Sequence, residues 1–192
     1  MKKIKNLGIM LASAAMIFGM TACGDDDEPF GGGSTVSVAV NGATFKVDRA
    51  YWSVDVVVNA VEEASPRDET TTWYTLALYN CDYPNIKDPW HSITILYHKD
   101  GIGDITTFAD GTYKDFTVSL SILSSDDSKD RQYYGNSDDE GNDATLTVSH
   151  DGGGLSLSVS AMNYTDGNGG NSYPGPAFSY SGSVKKLPES AK

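Results

Sequence analysis

Apolar residues recur at every second position through most of this chain. Val36, Val38 and Val40 alternate with Ser37 and Ala39, and Trp52, Val54, Val56 and Val58 share a face opposite Ser53 and Asp55. Tyr74, Leu76 and Leu78 lie opposite Trp73, Thr75 and Ala77, and Ile93, Ile95 and Tyr97 opposite Thr94 and Leu96. Phe116 to Ile122, Leu146 to Val148, Leu155 to Ala161 and Phe178 to Val184 repeat the pattern, with Ser or Thr between. Side chains on a strand point alternately to its two faces, so a period of two describes strands with one buried and one wet face. Antiparallel sheets carry such strands. No window after residue 22 keeps a helical stripe of period 3.6. Asn41-Gly42 supplies two residues that accept positive φ, the signature of a two-residue hairpin. About eight to ten short strands at this spacing predict an all-β domain, an antiparallel β-sandwich or a flattened, incompletely closed barrel.

The breaks in the alternation place the loops. Residues 61–71 are polar, and Asp82-Tyr83-Pro84-Asn85 and Asp88-Pro89 are turn sequences. Residues 124–143 and 163–176 are polar and long for connections in a compact domain, and such loops are often functional.

The N-terminus reads as an address. Lys2, Lys3 and Lys5 precede the short apolar run Leu7 to Met20, which fits a secretory leader better than a membrane span. Met20-Thr21-Ala22-Cys23 resembles the lipobox of bacterial lipoproteins, with Met20 where Leu is usual. That resemblance implies removal of residues 1–22, acylation of Cys23 and a membrane-bound chain; the alternative is an ordinary secretory peptide cut near Ala22. A single acyl chain holds only marginally, so stable anchoring needs several chains on one cysteine. Gly24-Asp25-Asp26-Asp27-Glu28 resembles the acidic export tag of Bacteroides-type lipoproteins, which implies display outside the outer membrane, with its periplasmic face as the alternative. Residues 23–34 then form an acidic, Gly-rich tether, 35–187 a single β-domain and 188–192 a C-terminal tail.

Loss of the leader removes three lysines and no acid, which takes the formal charge from −12 to −15. A surface this acidic repels nucleic acid, so that class of partner is excluded. With Cys23 lipidated, Cys81 stands alone and reads as a small buried residue.

The chain carries few catalytic signatures. There is no Gly-x-Ser-x-Gly, and His91, His98 and His150 lie on or beside expected strands. Glu62, Glu63 and Glu69 share one loop and Glu140 another, with no inward pair suited to glycoside hydrolysis. A hydrolase is therefore the least favoured class, and the chain reads as a non-enzyme. His91 and His98, seven residues apart on one strand, point to opposite faces, so no metal site is assigned. Asn136-x-Asp138-x-Glu140-Gly141 imitates the start of a calcium loop but has Thr147 where a bidentate Glu belongs; a loose calcium site is the one cofactor considered. Trp73, Trp90, Tyr133, Tyr134 and Tyr173 are the candidate ligand-binding rings, because flat rings beside Asp and Asn suit sugar recognition.

Strand-Asn-Gly-small-Phe over Val36 to Phe45, Gly111-Thr112-Tyr113 before a strand, and the Gly-bearing terminal strand Phe178 to Val184 are similar to features of small all-β lipoprotein domains of Bacteroides-type bacteria. The resemblance spans most of the residues after Cys23. It implies an all-β lipoprotein and carries over no catalytic residue. Some surface lipoproteins of such bacteria capture glycans or cofactors beside an outer-membrane transporter, and from that neighbourhood the expected function is a ligand-binding or accessory module for glycan or nutrient capture. The alternative is a structural envelope component that binds a protein partner.

Overall fold

The computed structural model describes residues 33–59, 69–103, 109–152, 154–167 and 170–187. Apart from Leu187 these belong to one compact unit, Phe30–Lys186. Cys23, the leader and the acidic tag lie outside the described residues, as do the glutamates of residues 61–68.

The architecture is all-β. Its first element is a tight hairpin of β1 (Val36–Val40) and β2 (Ala43–Val47). Asn41 and Gly42 both take positive φ, 48° and 76°, and the register pairs Val40 with Ala43, as the sequence predicts. The remaining strands are β3 (Arg49–Asn59), β4 (Glu69–Tyr79), β5 (Trp90–Asp100), β6 (Gly111–Tyr113) and β7 (Phe116–Leu123). They continue as β8 (Arg131–Asn136), β9 (Leu146–Asp151), β10 (Gly154–Val159), β11 (Met162–Asp166), β12 (Ser172–Gly175) and β13 (Phe178–Lys186). These eleven form one sheet in the order β12-β11-β8-β7-β5-β4-β3-β13-β10-β9-β6.

The sheet is not closed into a barrel. It doubles over, and its two halves bury one common core. Leu76, Leu78, Ile93, Ile95, Val118 and Leu120 come from one half; Leu146, Val148, Leu155, Leu157 and Tyr180 come from the other. The hairpin is packed into that core through Val36, Val38, Val40, Phe45 and Val47, touching β4, β5, β7, β12 and β13. Strand β13 links the halves. Its first part pairs antiparallel with β10, and Val184–Lys186 then pair parallel with Ala50–Trp52 of β3. At that switch the Tyr180 hydroxyl donates to the Ser183 carbonyl at 2.7 Å. The short edge strand β6 returns toward β5, where the rings of Tyr113 and Tyr97 lie 4.7 Å apart.

Two expectations are corrected. The strands number thirteen among the described residues, not eight to ten, because β8, β11 and β12 run through segments that read as loops. The sheet is mixed, with one parallel pair, because β13 outlasts its partner β10 and finds β3.

Candidate functional site

The core-facing positions of β4, β5, β7 and β8 are Tyr74, Leu76, Leu78, Ile93, Ile95, Phe116, Val118, Leu120 and Tyr133. Their neighbours in sequence therefore point outward. Register sets these outward residues in rows across the strands. Trp73 stands beside His98. Thr75, Leu96, Thr117 and Asn136 form the next row. Ala77, Thr94, Ser119, Tyr134 and Thr165 form the third. Tyr79, Ser92, Ser121 and Gln132 form the fourth.

No residue of these rows carries a formal charge, apart from His98 when protonated, although the chain holds 26 acids. Seven of the fifteen rungs are half-buried hydroxyls: Thr75, Thr94, Thr117, Ser119, Ser121, Tyr134 and Thr165. The Trp73 and His98 rings pack at 4.8 Å. The Tyr134 hydroxyl donates to Gln132 Oε1 at 3.0 Å, and burial raises its pKa. With strands ~4.8 Å apart and ~3.4 Å per residue along them, Trp73 and Tyr134 stand ~20 Å apart across a floor in which Leu96 sits among Thr75, Thr94, Thr117 and Ser119.

The β4–β5 connection covers the lower end of this face. Asn80 holds its base: its amide donates to the Pro89 carbonyl at 2.9 Å and its oxygen accepts from the His91 N–H at 3.0 Å. Tyr83 stacks on Tyr79 at 5.9 Å, and Tyr79 packs on Trp90 at 5.3 Å and Tyr51 at 5.5 Å. The Tyr83 N–H donates to the Tyr51 hydroxyl at 2.8 Å, and Arg49 Nε reaches Asp82 at 3.0 Å. Burial raises the pKa of Tyr79 and of Tyr51. Asp88 accepts from both the N–H and the hydroxyl of Ser125, which clips this loop to the β7–β8 turn. Those hydrogen bonds lower the Asp88 pKa.

The five expected rings do not converge. Trp73 and Tyr134 lie half-exposed on the outer face. Trp90 is 6% exposed beneath the β4–β5 loop, with Nε1 buried and unpartnered. Tyr133 is 4% exposed, inside the core. It accepts from Asn41 Nδ2 at 3.2 Å and packs edge-on to Phe45 and Tyr173. Tyr173 is half-buried on β12, with its hydroxyl 3.4 Å from Asp166. Placing Tyr133 and Tyr134 in an acidic loop is thus corrected: both are on β8, pointing to opposite faces. Tyr51, Tyr79 and Tyr83 are not among the expected rings, and the sequence weighs His98 only as a catalytic or metal-binding residue. The signal was present for Tyr79, which continues the odd-numbered face of Trp73, Thr75 and Ala77.

The three histidines are engaged separately. His91 Nδ1 accepts from the Lys46 N–H at 3.1 Å, and burial with the Lys46 charge lowers its pKa. His98 lies against Trp73, and His150 Nδ1 is 2.6 Å from Asp110. Among the described residues no group of three His, Cys, Asp or Glu side chains is placed to hold a metal ion. In the calcium-like segment, Asn136 accepts from Thr117 and Asn142 bonds the backbone of Asn136 and Asn163, so these amides tie strands together. Cys81 is a buried free thiol.

A second uncharged face lies on the other half of the sheet. Thr112, Thr147, Ser158 and Ser179 form one row, and Ser149, Ser156 and Ser181 another. A shallow groove at its end is lined by Thr145, Ser158, Ser160, Ala177, Phe178 and Ser179. Among the described residues it carries no exposed ring.

In comparison with known proteins, the chain matches no family model, no curated protein and no solved structure. Its class is therefore defined by its own architecture, a doubled mixed β-sheet plugged by an N-terminal hairpin. No helix among the described residues is long and apolar enough to cross a membrane.

Proposed function

We propose that this protein is a non-catalytic capture module for neutral glycans, anchored through Cys23 at the outer membrane with its β-domain displayed at the cell surface. The observation that carries the reading is the outer face of β4, β5, β7 and β8. In an acidic chain its four central rows hold no acid, with half-exposed Trp73 and Tyr134 at their margins and Asp55 and Asp100 standing beyond Trp73. Sugar rings offer apolar C–H faces that stack on aromatic rings, and hydroxyls that exchange hydrogen bonds with Ser, Thr, Asn and Gln. The acidic surroundings disfavour anionic polysaccharides. The ~20 Å between the rings suits several linked sugars better than one. The acidic tag and the lipobox-like Met20 to Cys23 support the address.

Isothermal titration with a panel of neutral and anionic soluble polysaccharides tests this. Heat is expected from a neutral one only. Trp73→Ala and Tyr134→Ala should each weaken binding about tenfold or more, equivalent to ~1.4 kcal/mol, while the fold is kept. A flat neutral panel, or variants that bind like the parent, would refute the reading.

A further inference from the structure

The edges of the large sheet are unequal. One terminal strand, β12, has four residues including Pro174. The other, β6, has three and is followed by Lys114. Short strands, proline and lysine are the usual devices that stop a sheet edge from recruiting another chain. Among the described residues, strand β3 above Trp52 has only the single charge of Asp55 as such a device. It pairs with β4 along its whole length, to Asn59, but β13 accompanies it only through Ala50, Tyr51 and Trp52. Among the described residues, no strand lies on the open side of Ser53–Asn59. The stretch reads Ser-Val-Asp-Val-Val-Val-Asn, rich in the β-branched residues that favour strands. Val56 and Val57 point to opposite faces and are 42% and 40% exposed, among the few large apolar side chains left in solvent.

We propose that this edge is the interface between two copies of the chain, joined antiparallel about a twofold axis at Val56. A twofold interface must be self-complementary. Centring the pair on Val56 uses all seven open residues. It sets Val56 against Val56 and Ser53 against Asn59. It also sets Asp55 of one copy against Val57 of the other, so the two Asp55 are diagonal neighbours and not directly opposed. Like charges directly opposed would destabilise the pair. The result is a continuous sheet across both copies, with main-chain hydrogen bonds as the source of affinity. Two chains of net charge −12 repel, so association strengthens as salt screens that repulsion.

The experiment is sedimentation equilibrium on the purified full chain, with parent, Val56→Lys, Val56→Glu and an equimolar mixture of the two variants. The parent is expected to be a dimer whose dissociation constant falls with added salt. Each variant alone opposes like charges at the axis and should be monomeric, with an unchanged circular dichroism melt. The mixture opposes Lys to Glu and should restore the dimer. A monomeric parent overturns the proposal. So does a dimer indifferent to residue 56, as association through lipid or another surface would give, and so does a mixture that stays monomeric.

Discussion

Tyr164 and Tyr180 are both buried, 0% and 1% exposed, and the same substitution should move stability in opposite directions at the two sites. The Tyr164 ring is wedged between Gly135 and Gly175; a Cβ at Gly175 would collide with it. Its hydroxyl is buried with no hydrogen-bond partner, and burial raises its pKa. A buried hydroxyl left unpaired costs about 1–3 kcal/mol of desolvation, while the ring supplies the packing. Tyr164→Phe keeps the ring and removes the cost, so a gain of about 1 kcal/mol is expected. Tyr180 is the converse. Its hydroxyl donates at 2.7 Å to the Ser183 carbonyl, where β13 exchanges β10 for β3. Tyr180→Phe therefore loses about 0.5–1.5 kcal/mol. Urea denaturation of the full chain reads both, with unchanged m-values confirming that only stability moved. At about 2–4 °C per kcal/mol for a domain of this size, the melting temperatures should part by roughly 4–8 °C. If Tyr164→Phe destabilises as much as Tyr180→Phe, the hydroxyl has a partner and the reasoning fails.

Two further outcomes are expected. His91 has its folded pKa below the 6.5 of the unfolded chain, so the unfolded state takes up the proton first as pH falls. The stability it supports is complete above pH ~7 and declines below pH ~6.5 until the folded pKa is reached; His91→Gln, measured by denaturation at pH 7 and pH 5, should flatten that slope. Asp88 and Asp126, both lowered from 3.8, act below that window. Trp90→Ala should cost about 3–5 kcal/mol, because it empties the space beneath the β4–β5 loop, and its effect on any ligand should follow unfolding in a denaturation curve.

The alternation of β1 to β5, β7, β9, β10 and β13 was legible because each buries one face against a common core. Strand β8 was not. Arg131-Gln132-Tyr133-Tyr134-Gly135-Asn136 presents only Tyr133 and Gly135 inward, and glycine carries no hydrophobic signal. Its place is nonetheless dictated by packing, since a Cβ at Gly135 would press on Met162 and Tyr164. Strands β11 and β12 hold Asp166, Pro174 and Gly175 near a sheet edge, where turn residues are tolerated. The parallel seam between β13 and β3 joins residues far apart in sequence, which no local pattern reports. The outward direction of Trp73 was readable from its odd-numbered strand face. Its distance from Tyr134 was not, because register across β5 and β7 decides it.

A face whose central rows lack charge is not by itself a site. A chain with 26 acids and 14 bases cannot pair charges across every rung of a sheet, and opposed like charges weaken it. Keeping the acids at turns and strand ends, with Asp55 in the middle of β3 as the exception among the described residues, and Ser and Thr on the outer rungs, answers a folding requirement. Both halves of the sheet show that solution, so the hydroxyl rows of β9, β10 and β13 are an internal control. What separates the two faces is aromatic: Trp73 and Tyr134 stand on one and, among the described residues, no exposed ring on the other. Ser119 and Ser158 occupy equivalent outward positions at the centre of each face. Ser119→Arg and Ser158→Arg add the same bulk and charge; exposed Ser158→Arg should change stability by under ~0.5 kcal/mol, and urea denaturation checks that half-buried Ser119→Arg stays folded. Only Ser119→Arg should block the neutral polysaccharide in titration. Equal loss from both would mean that binding follows net charge or hydroxyl density, and the aromatic face would lose its claim.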